Sequence, residues 1–348
     1  MARTIAGAAE PPDGRYDADI IILALERPEE TVAAIRSACG QTGVSIHVFV
    51  LDQGSSPETL GRFAAAAKDR GDVTLLATER NLGVAGGRNL ISDMGHGRVI
   101  VALDNDAVFA SADTVARLVA ALDAEPGLAA IGCRIVTDEG GADDRSSWGY
   151  AESLRCCSEE SFDAITFVGA GHAIRRVAWE QAGGYDAALF FCWEEFDFCL
   201  RAIALGWRVR YRGDIVIRHK VSAEQRVAWT AARWFYFVRN RLYIERKLGR
   251  GWVALAPRIA GYLLRGVRNG LPAQTLRAVL AARDMTPVMR SRPMPPAGAL
   301  YLARNDRVHR GSWLCRLTRE ALRPLGRPSN VASAVKDDPG TVDQVAAE

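Results

Sequence analysis

The sequence predicts an α/β protein with a mostly parallel central sheet and helices on both faces. Three observations predict it. Four short, continuous apolar runs recur early in the chain, around Ile20, Val48, Leu75 and Val101. A helix-like pattern separates each run from the next, and strands apolar on both sides belong in a sheet covered on both faces. The composition, 49% hydrophobic and 24% charged over 348 residues, suits an ordinary globular protein with one large domain and an appendage.

Residues 1–17, rich in Ala, Gly, Pro and charge, predict a flexible leader. Strands are expected at Asp19–Leu23, Ser45–Leu51, Val73–Leu76 and Val99–Leu103. The helices between them run from Pro28 to about Cys39, from Pro57 to about Lys68, and over Gly87–Met94. A helix from about Ala112 to Asp123 and a strand over Leu128–Val136 follow. Residues 137–163 are polar and weakly patterned, which suits a loop or a short hairpin. Order resumes at Phe167–Arg175, with helices at Val177–Ala182 and Glu195–Leu205 and two late strands, Trp207–Arg212 and Ile215–Arg218. The chain therefore divides into the leader, a main domain over 18–248, a basic helical region over 249–327 and a disordered tail over 328–348. Parallel sheets bind ligands at the carboxyl ends of their strands, so the loops after Leu25, Leu51, Leu76 and Leu103 should converge on one cleft.

The net charge of +3 conceals an asymmetry. Residues 201–330 hold 27 Lys and Arg against 6 Asp and Glu, which leaves the first 200 residues acidic. So basic a region suits an anionic partner, either membrane headgroups or a phosphate-bearing acceptor. Nucleic acid is not expected, because no recognition motif accompanies the charge. The seven cysteines show no zinc-ligand spacing, and Cys156 and Cys157 read as two ordinary thiols. With no secretory signal and no run of 18 apolar residues, the expected location is cytoplasmic, without a membrane span.

Four stretches carry chemistry. Asp104-Asn105-Asp106 closes a buried strand, and two carboxylates one residue apart can reach a single oxygen-preferring ion such as Mg²⁺ or Mn²⁺. The plainer reading is a turn, which Asp and Asn favour in any case. The run Asn81-Leu82-Gly83-Val84-Ala85-Gly86-Gly87-Arg88-Asn89 has glycines that allow close backbone approach. A helix starting there would aim N–H groups at a phosphate, with Arg88 adding charge. The run lacks the endings of the mononucleotide and dinucleotide loops, and many such loops merely turn the chain. Glu194, Glu195 and Asp197 lie among aromatic residues at a helix start, where acids also serve as dipole partners. A partly desolvated carboxylate there gains basicity, as a general base requires. His219, between Arg218 and Lys220 at a strand end, is a structural histidine, a third metal ligand or a phosphate contact.

In this order, with the Asp52 loop in front, these stretches resemble glycosyltransferase family 2, whose members have the GT-A fold. The resemblance covers roughly residues 18–248 and includes Arg233–Arg241, similar to the Tyr-x-x-Arg-Asn-Arg helix of bacterial rhamnosyltransferase-like members. It implies that Asp52, Asn81, Gly83, Gly87, Arg88, Asn89 and Asp104 hold a UDP-, dTDP- or GDP-linked sugar. It further implies that Asp106, with Asp104 and His219, binds Mg²⁺ or Mn²⁺. The stretch from Phe167 to Ala173, Gly171 included, would line the sugar and acceptor pocket, and Glu194, Glu195 and Asp197 would be catalytic.

Two departures stand out. Glu195 occupies a position where Asp is usual, so Glu194 and Glu195 both remain candidate bases. The first strand ends in Leu23-Ala24-Leu25-Glu26-Arg27 without the customary proline, and Glu26 could contact the nucleotide. The implied activity is inverting transfer of a hexosyl or deoxyhexosyl group to a saccharide or lipid-linked acceptor, in cell-surface polysaccharide or glycolipid synthesis. Two other readings stand beside it: a non-catalytic nucleotide-sugar-binding domain in a membrane assembly, and a sugar-phosphate nucleotidyltransferase. The stretch Trp252–Arg265 suits a basic amphipathic helix lying peripherally on a membrane, or equally a helix packed with its arginines in solvent.

Overall fold

The computed structural model of the protein describes residues 2–138, 140–220, 230–286 and 293–312, together with Leu325. They fall in two compact units, one within Met1–Val221 and Pro287–Ser312, the other within Ser222–Thr286 and Trp313–Glu348.

The first unit is built on one ten-stranded sheet. In chain order its strands are β1 (Arg3–Gly7), β2 (Ala18–Ala24), β3 (Ile46–Asp52), β4 (Val73–Ala77) and β5 (Val99–Asp104). They continue as β6 (Ala107–Phe109), β7 (Leu128–Thr137), β8 (Ser161–Ala164), β9 (Gly171–Arg175) and β10 (Arg208–His219). The spatial order is β1-β4-β3-β2-β5-β9-β7-β10-β6, with β8 pairing β10. The run β4-β3-β2-β5 is parallel throughout, as is the pair β7 and β10, while β9 runs antiparallel to both of its neighbours.

Alternation along the strands makes two cores. Ile20, Ile22, Val48, Val50 and Val101 pack on one face with α1 (Pro28–Cys39), α2 (Pro57–Ala67) and α4 (Thr114–Ala124). Ile21, Phe49, Leu51 and Ile100 pack on the other with α3 (Gly83–Ser92), α5 (Arg176–Ala182) and α6 (Glu194–Ala204). Both faces are dry, which is why these strands read as unbroken apolar runs. Register aligns their ends: Ala24 pairs with Asp52, Asp52 with Ala77, and Leu23 with Asp104. The loops after β2, β3, β4 and β5 therefore leave from one edge, as the alternation predicts.

Several segments differ from expectation. The leader is not loose: β1 pairs antiparallel with β4, and Ile5 packs against the core. The two late strands are one, because a register shift between Arg212 and Val216 absorbs the Gly213-Asp214 step without ending β10. Residues 137–163 contain 3-10 turns at Arg145–Ser147 and Glu152–Cys157, and the strand β8. The basic region is divided, because α10 (Pro296–Leu302) belongs to the first unit, where the Tyr301 hydroxyl accepts from Val209 N at 3.1 Å. The expected tail at 328–348 and Cys315 lie outside the described residues.

The second unit contains α7 (Ala231–Lys247), α8 (Trp252–Arg268) and α9 (Pro272–Asp284). Its core gathers Trp234, Val238, Leu242, Leu255, Tyr262 and Ala278. The Trp234 indole donates to Thr275 Oγ1 at 2.8 Å, which satisfies the one polar atom of that ring. Among the described residues no helix is long and apolar enough to cross a membrane.

At the opposite end of β2, Asp19 is fully buried and accepts from the Tyr16 hydroxyl, the Arg176 guanidinium and Gly97 N at 3.0 Å. Arg176 also donates to Ser92 O at 2.9 Å and to Gly97 O, so one carboxylate ties β2 to the α3–β5 turn and to α5. Removing one partner of a buried pair strands the other. Asp19→Ala should lower unfolding stability by about 3 kcal/mol in urea titration, a loss typical of a broken buried pair.

Candidate active site

β5 ends at Asp104, turns through Asn105 and Asp106, and returns as β6. The Asp-x-Asp pair is thus a turn, as the plainer reading held, but the sheet also brings a third group to it. His219 ends β10 and pairs with Ala107 on one side and Thr137 on the other, while Lys220 N donates to Asp106 O at 2.7 Å. Ligand atoms of Asp104, Asp106 and His219 lie within 4.8 Å of one another. Two carboxylates and an imidazole at this separation form a donor set that could hold a divalent ion.

His219 Nδ1 lies 2.7 Å from Asp144 Oδ2, the kind of carboxylate partner that often stands behind a metal-binding imidazole. Asp144 is itself buried and accepts from Ser146 N at 2.9 Å and from Ser147 Oγ at 2.9 Å. This carboxylate–histidine pair fits a metal ligand better than an isolated structural histidine. A cavity of about 280 Å³ opens beside it, lined by Asp144, Ser147, Trp148, Tyr150, Arg134 and Arg145, among others. Arg27 forms an ion pair with Asp106 from the opposite side. It does so from a backbone bent into the left-handed region at both Glu26 (φ 52) and Arg27 (φ 58), a conformation costly for side-chain-bearing residues.

Arg88, only 3% exposed, joins the Asp104–Asp106–His219 cluster to the acidic triplet. It donates to Asp104 Oδ1 at 2.9 Å, to Gly169 O at 2.8 Å and to Glu195 Oε1 at 3.3 Å. Burial opposes its charge, but the carboxylates of Asp104, Glu195 and Glu194 more than offset that and raise its pKa above the ordinary value. A Cβ at Gly169 would come within 2.5 Å of Glu195 Oε1 and push that carboxylate aside.

Glu194 and Glu195 open α6 after three residues held at positive φ: Phe190, Cys192 and Trp193. Burial raises both carboxyls. Glu194 lies well above the ordinary range, with burial first and the charge of Glu195 adding to it. Its Oε2 is buried without a hydrogen-bond partner, as suits a carboxyl held neutral. Glu195 is also raised by burial, against the pull of Arg88, and keeps a side chain 15% exposed. Between the two candidates, only Glu195 combines access with a charged partner.

Other residues of the expected site make contacts within the protein itself. Asp197 lies in a buried ion pair with Arg201 at 2.9 Å, and Arg201 holds the carbonyls of Ala182 and Gly184. That arrangement gives Asp197 the task of joining α5 to α6. Asn89 binds Tyr185 with both ends of its amide, to O at 2.8 Å and from N at 2.9 Å. Gly171 lets the sheet close, since a Cβ there would lie 2.5 Å from Ile217. Gly87 admits α3 against Leu23 and Gln53. Asp52 is buried and closes its own loop by accepting from Gly54 N at 3.2 Å and Ser55 N at 3.2 Å. Glu26 caps the start of α2 through Ser56 N at 2.7 Å and Thr59 Oγ1 at 2.8 Å.

At the α3 N-terminus, the amides expected to face a phosphate meet Phe190. Its carbonyl accepts from Val84 N at 2.7 Å and Ala85 N at 3.3 Å, while Asn81 Oδ1 accepts from Gly83 N at 2.7 Å. Gly83, at φ 72, is a glycine because a Cβ would run into that same carbonyl. These three amides therefore bind the protein itself.

Sequence reasoning gave no role to Arg27 or Asp144, and named Gly169 and His172 only as part of the Phe167–Ala173 stretch. Only the Asp-x-Ser-Ser turn at 144–147 offered a signal. His172 is buried and stacked on Phe167 at 4.2 Å, and burial, with Arg88 nearby, holds its pKa well below the ordinary value. A neutral ring then donates from Nδ1 to Val168 O at 3.2 Å and accepts at Nε2 from the Tyr185 hydroxyl at 3.1 Å.

Residues 19–181 match the family described as Glycosyl transferase family 2, a span that ends before the acidic triplet. Over 90 residues the chain is 37% identical to the succinoglycan biosynthesis protein ExoO of Rhizobium meliloti (strain 1021). That match takes in 26% of this chain and only 25% of the relative, about a quarter of its length. Among solved structures, the fold is similar to that of the mannosyltransferase PcManGT from Pyrobaculum calidifontis in complex with GDP-Man and Mn²⁺. The TM-score is 0.54 at 19% identity, over 90% of this chain and 88% of that one. GalNAc-T7 with UDP, GalNAc and Mn²⁺ is similar at a TM-score of 0.56 and 17% identity, over 77% of this chain and 55% of that one.

The support that Asp144 gives His219 is directly testable. Asp144→Asn keeps the shape but removes the charge behind the imidazole, and should weaken Mn²⁺ binding by about tenfold in calorimetric titration.

Proposed function

We propose, from the premise that residues 19–181 belong to glycosyl transferase family 2 and that the fold is GT-A, that this chain transfers a sugar from a nucleotide-diphosphate donor to an acceptor hydroxyl. The observation that carries the reading is Arg88, which holds the Asp-x-Asp carboxylate and a buried, basic glutamate on one guanidinium. A divalent ion, Mg²⁺ or Mn²⁺, held by Asp104, Asp106 and His219, would offset charge developing on the diphosphate leaving group.

In the proposed reaction, Glu195 takes the proton of the acceptor hydroxyl. The acceptor oxygen forms a bond to the anomeric carbon as the bond from that carbon to the diphosphate breaks, inverting the centre in one step. Glu194, kept neutral by its burial, adds no second negative charge beside the base. Arg88 orients Glu195 and keeps it ionisable despite desolvation. The donor is UDP-, dTDP- or GDP-linked and the sugar a hexose or deoxyhexose. The acceptor is a saccharide or lipid-linked one of surface polysaccharide or glycolipid synthesis. The described cysteines are free thiols, which suits a cytoplasmic setting.

A panel of nucleotide sugars, titrated with Mn²⁺, Mg²⁺ or chelator, tests the class. One donor should bind in a metal-dependent way and lose that binding in Asp106→Ala. If a folded chain binds none of the panel, the transferase reading fails in favour of a non-catalytic domain. The base has its own signature. Because burial raises the Glu195 carboxyl above its ordinary 4.5, kcat/KM should fall on acidification through a midpoint above that value. Glu195→Gln should remove turnover by a factor of at least about 10² while donor binding survives. A Gln variant of near-normal rate would exclude Glu195 as the base.

A further inference from the structure

A surface helix of a globular unit normally turns its apolar stripe inward and its charges outward. α8 buries one apolar side, with Leu255 and Tyr262, but exposes a second. Val253, Ala256, Ala260, Leu264 and Val267 recur three or four residues apart and are all exposed. Val253 is 91% exposed, Leu264 47% and Val267 63%, with Leu263 beside them. Two of the three arginines of the same helix, Arg258 and Arg265, are drawn inward. Arg265 lies 5.6 Å over the Trp234 ring, and Arg258 reaches Glu245 at 3.7 Å. The buried side of α8 is narrow, made by Leu255 and Tyr262 with two glycines, Gly261 and Gly266. On α9, Leu276 and Leu280 are exposed one turn apart.

Charge says what covers such a face. Residues 230–286 hold 11 Lys and Arg against 2 acids, Glu245 and Asp284. Arg268, Arg277 and Arg283 are exposed near these leucines and valines. A second copy of the chain would bring the same basic excess against itself, which like-charge repulsion disfavours. An apolar stripe rimmed by arginine matches the boundary between the acyl chains and headgroups of an anionic bilayer. No described helix can span the membrane, so the contact is peripheral.

We propose that the outward face of α8, extended by Leu276 and Leu280, docks on an anionic lipid bilayer with the helix lying in the plane of the interface. At 17 residues the helix spans about 25 Å, enough to insert five or six side chains side by side. This inference stands apart from the proposed chemistry, because it is read from lipid binding alone.

The test is flotation of the full chain with vesicles of phosphatidylcholine, alone or mixed with phosphatidylglycerol. The chain should float with the mixed vesicles only, less so as salt rises. Leu264→Glu combined with Val267→Glu should lower partitioning by about tenfold or more, with an unchanged thermal melt because both side chains are already exposed. Three results would overturn the proposal. One is no flotation of a folded chain with anionic vesicles. Another is flotation unaffected by the double substitution. The third is a dimer in sedimentation equilibrium that the substitutions dissociate while vesicles bind neither form, which would assign the face to a second copy.

Discussion

A guanidinium at 3% exposure needs an oxygen on each side it presents, and Arg88 finds them on three separate elements. Asp104 belongs to the end of β5, Gly169 to the loop before β9 and Glu195 to the first turn of α6. A desolvated cation is tolerated only when its partners arrive together. The first unit is arranged so that they do. Gly169 gives up its side chain to admit Glu195, and Asp104 N is held by Ala170 O at 3.1 Å. His172, neutral between Val168 and Tyr185, fixes the same loop from behind. The distances among the acids follow from this one requirement.

Much of the fold was legible because the hydrophobic effect writes period and length directly into a chain. Runs such as Ile20–Leu23 and Val99–Leu103 could be nothing but strands buried on both sides, and the register of their ends follows from their being parallel. The leader was misread because composition alone cannot register a strand whose partner lies some seventy residues away: Arg3 pairs with Ala77. β10 was read as two strands because Gly213-Asp214 looks like a turn, and only the sheet shows that a register shift accommodates it.

The site was legible in its acids and not in its supports. Asp104, Asp106 and His219 do come together, through a β5–β6 turn and the pairing of β10 with β6. Glu195 and Arg88 meet as well, across 107 positions of sequence. The residues that hold them were hidden, because second partners have no pattern of their own. Asp144 sits in a weakly patterned stretch, and Arg27 acts only because two left-handed residues aim it. The glycine-rich loop also holds a contact that the sequence does not show. Its composition suggested an anion site, but the Phe190 carbonyl takes two of its amides, a contact no local signal could announce.

β1 has a bearing on solubility. Without it, β4 would be an outer strand whose residues Val73, Thr74, Leu75, Leu76 and Ala77 are β-prone, uncharged and apolar, the kind of edge that recruits other chains. β1 covers that edge with a strand only five residues long, interrupted by an irregularity between Thr4 and Ala6 and ended by Gly7 in the left-handed region. Such a strand is a poor template for further pairing. The first few residues of this chain thus act as a guard against sheet-to-sheet aggregation, and a fusion or trimming that displaces them exposes the sheet at its most adhesive side.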